Sequence, residues 1–213
     1  MFYSYASCNN LPTAVCGEQV VNFNSAYLNC TKVKEAVMGP NVEDAYASYM
    51  GCTDLITPAC GNNVKRFSYC YENCASLTEA VCGHNVISMG RTYFGCEKLT
   101  KAVFGPNVEE ITYAYANCPN IKGNTYLYSN NVKQKSSGGV FYGRNTSNML
   151  NIYVHQGTTS LNSILDTAKS YSLSSKAMTY TNDTANNRYY NTAYNIYIYP
   201  VANVEEARIN NGD

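Results

Sequence analysis

Apolar residues recur along this chain every 22 residues, and several positions recur together. Tyr5, Tyr27, Tyr49, Tyr71, Tyr93 and Tyr115 form one column, and Cys8, Cys30, Cys52, Cys74, Cys96 and Cys118 stand three residues later. Three further on come Leu11, Val33, Leu55, Leu77, Leu99 and Ile121. A glycine column (Gly17, Gly39, Gly61, Gly83, Gly105) and a valine column (Val20, Val42, Val64, Val86, Val108) complete the unit. Five columns in register without an insertion mark an internal repeat. A unit this short cannot bury its own apolar side, so neighbouring units must stack and share a continuous core.

Within a unit the segment L-x-x-A-x-C, as in Leu77-Thr78-Glu79-Ala80-Val81-Cys82, predicts a short strand. A period of two sends Ala80 and Cys82 inward and Val81 outward. The glycine that follows is expected to supply a positive φ for the turn off the strand. Phe23, Ala45, Phe67, Met89 and Ile111 form a second apolar column on the return side. Successive units are expected about 4.8 Å apart, as a parallel ladder. The outward column is Val15, Val37, Ala59, Val81 and Val103, flanked by Thr13, Glu35, Thr57, Glu79 and Lys101. An exposed apolar stripe of this kind marks a contact surface, so Val15, Val37, Ala59, Val81, Val103, Glu35, Glu79 and Lys101 are the candidate binding residues. Strand propensity alone also accounts for valine there.

After Cys118 the unit decays. Ile121 keeps its column, but Leu127 stands where glycine is expected and Asn130 where valine is. The polar, glycine-containing stretch 133–139 reads as a loop. The expected organisation is a repeat solenoid over 1–126 with an incomplete first unit, a linker over 127–139, and a C-terminal α+β unit over 140–213 that caps or docks. Leu150 to Val154 reads as a strand. Thr159-Ser160 caps a helix running to about Lys169. Tyr194 to Tyr199 reads as a strand ended by Pro200, and Asn203 opens a short helix closed by Asn211-Gly212.

Composition narrows the function classes. Lys plus Arg equals Asp plus Glu, 15 each, so no net field draws the chain to nucleic acid or anionic lipid. Charged residues are only 14%, whereas tyrosines number 21, a surface suited to contact through hydroxyls and rings. Tyr46, Tyr69 and Tyr113, outside the repeat columns, are candidates for such a surface. No stretch reaches the roughly 20 apolar residues of a membrane span. The N-terminus lacks the pattern of a signal peptide; as the chain starts within a repeat, an upstream part is expected. The ten cysteines admit disulfides or a ladder of buried thiols, and the repeat spacing favours the ladder. No C-x-x-C pair suggests a metal. His84 holds a variable turn position, and no nucleophile–base motif is visible. No catalytic residue, metal or cofactor is expected.

The repeat resembles the BspA-like class of leucine-rich repeats, whose units read roughly C-x-x-L-x-x-I-x-I-P, then V, then A-F-x-x-C. Ala26-Tyr27-Leu28-Asn29-Cys30 matches the last piece, and Val42 and Val108 match the valine. The two strand isoleucines are here mostly Ala plus Cys, Met or Phe, and the proline is usually Gly. The resemblance covers about residues 3–125. It implies a right-handed leucine-rich-repeat coil, an α/β fold leaning to β, and a non-enzymatic binding or adhesion module. Such domains are similar to surface adhesins of anaerobic bacteria and to bacteriophage and prophage structural proteins. The partners implied are a protein or glycan ligand, and self-association. A phage virion or a bacterial cell surface is the expected location. The alternative is a structural part of a larger assembly, docked through the C-terminal unit.

Overall fold

The computed structural model describes residues 3–132, 139–157 and 180–213. The expected helix from Thr159 to about Lys169 lies outside them. Over the repeats the chain carries turns and isolated bridges instead of extended strands. Parallel bridges link Asn22 to Asp44, Asp44 to Arg66, Arg66 to Ser88 and Ser88 to Glu110. On the L-x-x-A-x-C side a single bridge forms, Glu35 to Thr57, where the sequence predicts a full ladder.

The stronger link runs through the A-Y-x-x-C segment. The N–H groups of Phe23, Ser25, Tyr27 and Asn29 donate to the carbonyls of Asp44, Tyr46, Ser48 and Met50 at 2.8, 2.9, 2.8 and 2.7 Å. The same four bonds recur from Phe67, Tyr69, Tyr71 and Asn73 to Ser88, Gly90, Thr92 and Phe94. Two positions four residues apart in each segment are left-handed: Ser25, Ala47, Tyr69, Arg91 and Tyr113 have φ between 52° and 62°, as do Asn29, Asn73 and Asn117. Within the segment every second N–H is aimed at the next repeat, while those of Ala26, Leu28 and Cys30 bond to carbonyls three residues back. Left-handed backbone costs an ordinary residue about 1–2 kcal/mol; the inter-repeat bonds offset it.

The tyrosine column explains why the strand side needs no ladder. All of Tyr27, Tyr49, Tyr71, Tyr93 and Tyr115 are fully buried, and neighbouring rings stack at 5.1–5.8 Å. Each hydroxyl crosses the core to the residue twelve positions earlier and satisfies both its backbone groups. The Tyr49 hydroxyl accepts the Val37 N–H at 2.8 Å and donates to the Val37 carbonyl at 2.6 Å. Tyr27 does this for Val15, Tyr71 for Ala59, Tyr93 for Val81 and Tyr115 for Val103.

The cysteine column adds a link between repeats. The Cys52 thiol donates to the Tyr27 carbonyl at 3.1 Å, and Cys74, Cys96 and Cys118 do the same to Tyr49, Tyr71 and Tyr93. All ten cysteines are free thiols. The glycine column has a different reason from the one expected. None of its members has positive φ. A Cβ on Gly39 would stand 2.8 Å from the Gly17 carbonyl oxygen, and one on Gly105 2.7 Å from that of Gly83. The column is empty of side chains because successive turns pack backbone on backbone.

The stack continues past residue 126. Val140 accepts from the Tyr115 N–H at 3.0 Å, Tyr142 from that of Asn117 at 2.5 Å, and the Phe141 ring stacks on Tyr115 at 5.9 Å. A five-stranded open sheet then follows. Its strands are β1 Gly123–Leu127, β2 Leu150–His155, β3 Thr181–Asp183, β4 Arg188–Asn191 and β5 Ile196–Val201, in the order β1-β2-β5-β4-β3. β1, β2 and β5 are parallel; β4 and β3 are antiparallel. β5 runs through Pro200 instead of stopping before it. Pro200 lies beyond the last β5 residue that β4 pairs, Ile198, so no bond to β4 requires its N–H. Helix α1, Val204–Asn210, is capped by Asn203, whose side chain accepts the Glu206 N–H. One core cluster includes Phe23 and Tyr49 from the repeats and Ile152, Val154 and Ile198 from the sheet.

Two measurements test this account. Replacing Tyr71 by Phe leaves the Ala59 N–H and C=O without their partner, which should cost about 1–3 kcal/mol; a fall in urea midpoint at unchanged m-value reports it. Burial also pushes the Cys52, Cys82 and Cys118 thiols up to about 12 and raises the core tyrosines well above their ordinary 10.0. Unfolded chains release these protons from about pH 9 upward while the folded chain holds them. Stability is therefore intact below pH 9 and falls steadily between about pH 9 and pH 12. Thermal midpoints under reductant should decline across that window; a flat profile would remove the buried, neutral core from the account.

Candidate recognition surfaces

Two faces of the repeats present side chains to solvent. The first is the predicted strand face. Val15, Val37 and Val103 are 58, 39 and 37% exposed, whereas their neighbours Ala14, Ala36 and Ala102 are buried. Ala59 and Val81 are half-buried, and Glu35, Glu79 and Lys101 are exposed. The period of two holds at Val15, Val37 and Val103 without a regular strand, but Ala59 and Val81 are half-buried like the residues on either side and pack against the core. A shallow depression of about 390 Å³ lies at one end, lined by Pro12, Thr13, Ala14, Lys34, Glu35 and Val37.

At the other end the stripe is partly covered. Lys101 pairs with Asp213 at 3.0 Å, and that carboxylate also accepts from Asn124 and the Tyr126 hydroxyl, both at 2.8 Å. These hydrogen bonds hold the Asp213 carboxyl down at about 2. Beyond them the exposed alternation is lost. Thr125, at the position of Val103 one repeat on, is buried, and so is Tyr126, whose ring stacks on Tyr153 and through it on Tyr199. Gly123, at φ 75°, opens the strand β1. The apolar stripe ends where the sheet begins.

The second face lies on the turn edge, and three adjacent columns build it. One side holds Ser88 and Glu110, the floor Ser68, Gly90 and Thr112, and the other side Tyr69, Arg91 and Tyr113; they line an open, shallow cleft of about 450 Å³. The left-handed φ of Tyr69, Arg91 and Tyr113 turns their side chains out of the core. Tyr46, in the floor column, fills the cleft's line on the N-terminal side, its ring 5.1 Å from Tyr69 with the Arg66 guanidinium 4.4 Å above it. Ser68 and Gly90 are small, and there the cleft opens. A Cβ on Gly90 would stand 2.5 Å from the Glu110 carboxylate, which accepts the Gly90 N–H and the Ser88 hydroxyl at 2.9 Å each and the Thr112 N–H at 2.8 Å. Arg91 grips Glu72 by two bonds, 2.9 and 2.6 Å, and lies 3.9 Å over Phe94. The hydrogen bond to Glu72 raises the Arg91 pKa and keeps it charged.

Sequence reasoning named Tyr46, Tyr69 and Tyr113 for this edge but missed Arg91, Glu110, Ser68 and Gly90. The signal was the floor column itself, Tyr46, Ser68, Gly90, Thr112, whose size drops in two successive repeats. His84 is exposed on its turn, and His155 stands in β2 with Nδ1 3.3 Å from the Ala202 carbonyl. Among the described residues no group of three or more His, Cys, Asp or Glu is placed to hold a metal, and no helix is long and apolar enough to cross a membrane.

No curated protein matches the chain. A solved leucine-rich repeat protein from Bacteroides ovatus is similar in fold, with a TM-score of 0.52 at 19% identity; the match covers 62% of this chain and 34% of that one. Six copies of the BspA type leucine rich repeat region match residues 2–122, more than half of the sequence. The chain belongs to the BspA-type leucine-rich-repeat family.

Proposed function

We propose that this chain is a non-enzymatic recognition module that docks a protein of a host or cell surface on the strand face of its repeats. Repeat regions of this family are commonly protein-binding or adhesion modules and generally lack enzymatic activity. The reading takes the stacked units as a right-handed solenoid. The observation that carries it is the stripe of Val15, Val37, Ala59, Val81 and Val103, flanked by the exposed charges of Glu35 and Glu79. An apolar centre rimmed by polar groups is what a specific protein contact requires. Burying such side chains contributes about 25 cal/mol per Å² of apolar area.

A second reading makes the chain a structural part of a larger assembly, docked through its C-terminal unit. It is favoured by β3, the terminal strand of the sheet among the described residues, whose Thr181 and Asn182 are exposed. A mass in solution that rises with concentration would support it, and a monomer at every concentration would sink self-assembly.

The double variant Val37→Lys and Val81→Lys tests the first reading on an array of host-surface and cell-surface proteins. The variant should keep the thermal midpoint within a few degrees, because Val37 is exposed and Val81 half-buried. Its binding should fall at least tenfold. Silence of the parent chain across the array, or unchanged binding by a folded double variant, would remove the strand face as the site.

A further inference from the structure

We propose that the turn-edge cleft is a binding site for neutral carbohydrate, taking a sugar ring against Tyr113 or Tyr69 with its hydroxyls on Glu110 and Arg91. The inference concerns a different face from the protein contact proposed above and stands if that contact fails.

Three observations carry it. The first is shape: the cleft of about 450 Å³ falls within the roughly 300–1,000 Å³ of small-ligand sites. Its tyrosines stand two repeats apart, about 10 Å at the usual strand spacing, and a tyrosine ring offers flat apolar area with a polar tip. The N-terminal neighbour shows that the opening is a matter of one side chain per repeat. Tyr46 closes the floor column where Ser68 and Gly90 leave it open.

The second is hydrogen-bonding capacity. Ser88, Gly90 and Thr112 take three of the roughly four acceptor sites of the Glu110 carboxylate and fix its orientation. A hydroxyl donor from a ligand fits the remaining one. Arg91 spends Nε and Nη2 on Glu72, which leaves Nη1 to donate to a ligand hydroxyl oxygen. A polyol supplies donors and acceptors together, as this mixture demands.

The third is charge. Arg91 is neutralised by Glu72 and Arg66 by Asp44, at 2.6 and 3.0 Å. Glu110 remains, so a phosphate, sulfate or carboxylate would face an uncompensated negative group. The Arg91 guanidinium lies 5.6 Å from the Tyr69 ring centre. Charge therefore disfavours anions, and the mixture of hydrogen-bond donors and acceptors, not charge, selects a neutral polyol over a cation.

Maltose, cellobiose, lactose and mannobiose are the probes, titrated into the full chain by amide NMR. Dissociation constants on the order of 0.1–10 mM are expected for at least one of them. Ser68→Tyr should weaken that binding at least tenfold by filling the floor as Tyr46 does one repeat earlier, and its fold is checked by the same spectra. Tyr113→Ser, which places at this left-handed position the residue that Ser25 already holds in its own repeat, should also weaken it at least tenfold. The Val37→Lys and Val81→Lys variant should bind the sugar as the parent does, which separates this site from the strand face. No shift with any probe at tens of millimolar overturns the proposal. So does equal binding by Ser68→Tyr and Tyr113→Ser, or tighter binding of a sulfated disaccharide than of every neutral one.

Discussion

The bond from a buried tyrosine hydroxyl to the backbone twelve residues earlier is the constraint on which the rest of this structure depends. A repeat side without a regular ladder would leave N–H and C=O groups unpaired near an apolar core, at about 1–3 kcal/mol each. One phenol satisfies both groups of a single residue, at 2.8 and 2.6 Å for Val37. The family pattern has Phe in that position, which could fill the core but could not make the bond. With Tyr, the middle residue of L-x-x-A-x-C is pinned from inside, and at Val15, Val37 and Val103 its side chain stays exposed.

The same economy governs the side facing it. A segment with two left-handed residues four apart aims four N–H groups per repeat at the next one, and this works only if the outgoing side chains find room. Asn29, Asn73 and Asn117 alternate with Gly51, Gly95 and Gly143 for that reason. A Cβ on Gly51 would fall 2.2 Å from the Asn29 amide oxygen, and one on Gly95 2.5 Å from that of Asn73. An asparagine needs a neighbour without a side chain, so this column repeats every second unit, not every unit. The cysteine beside it is small enough to sit between stacked segments and still donates its thiol to a tyrosine carbonyl.

The repeat length and the buried tyrosine, cysteine and valine columns were legible in the sequence, because each is a side-chain preference repeated five or six times. What was not legible lies in the backbone. Glycine at 39 and 105 reads equally well as a turn needing positive φ or as a close approach, and only the neighbouring repeat's carbonyl decides between them. The β3–β4 hairpin was missed because Thr181-Asn182-Asp183 carries no strand signal of its own and is held by Tyr190, Tyr189 and Arg188 opposite. The turn-edge cleft was half legible: its tyrosines stood out, but its opening depends on two small residues that look like nothing in isolation. Arg144 was the other silent position. It stands three residues after Phe141, where a cysteine would follow tyrosine, and its buried guanidinium donates to the Asn145, Asn148 and Tyr194 carbonyls. Burial lowers its pKa to about 10, and those carbonyls tie the last stacked unit to the sheet.

Column architecture also explains how one chain can carry two unlike surfaces. A change at the floor position, from Tyr46 to Ser68 to Gly90, alters the cleft and leaves the tyrosine–backbone bond, the thiol bond and the inter-repeat N–H bonds in place. A change at Val37 or Val81 alters the stripe and leaves the cleft in place, since no cleft residue lies in the L-x-x-A-x-C segment. Core positions in these repeats are fixed by packing and hydrogen bonding, and those demands are met within a repeat and its two neighbours. Specificity on either face can then vary one side chain per repeat, at a cost confined to that repeat. The polar cleft and the apolar stripe are therefore independent solutions on a shared frame, and loss of one carries no structural penalty for the other.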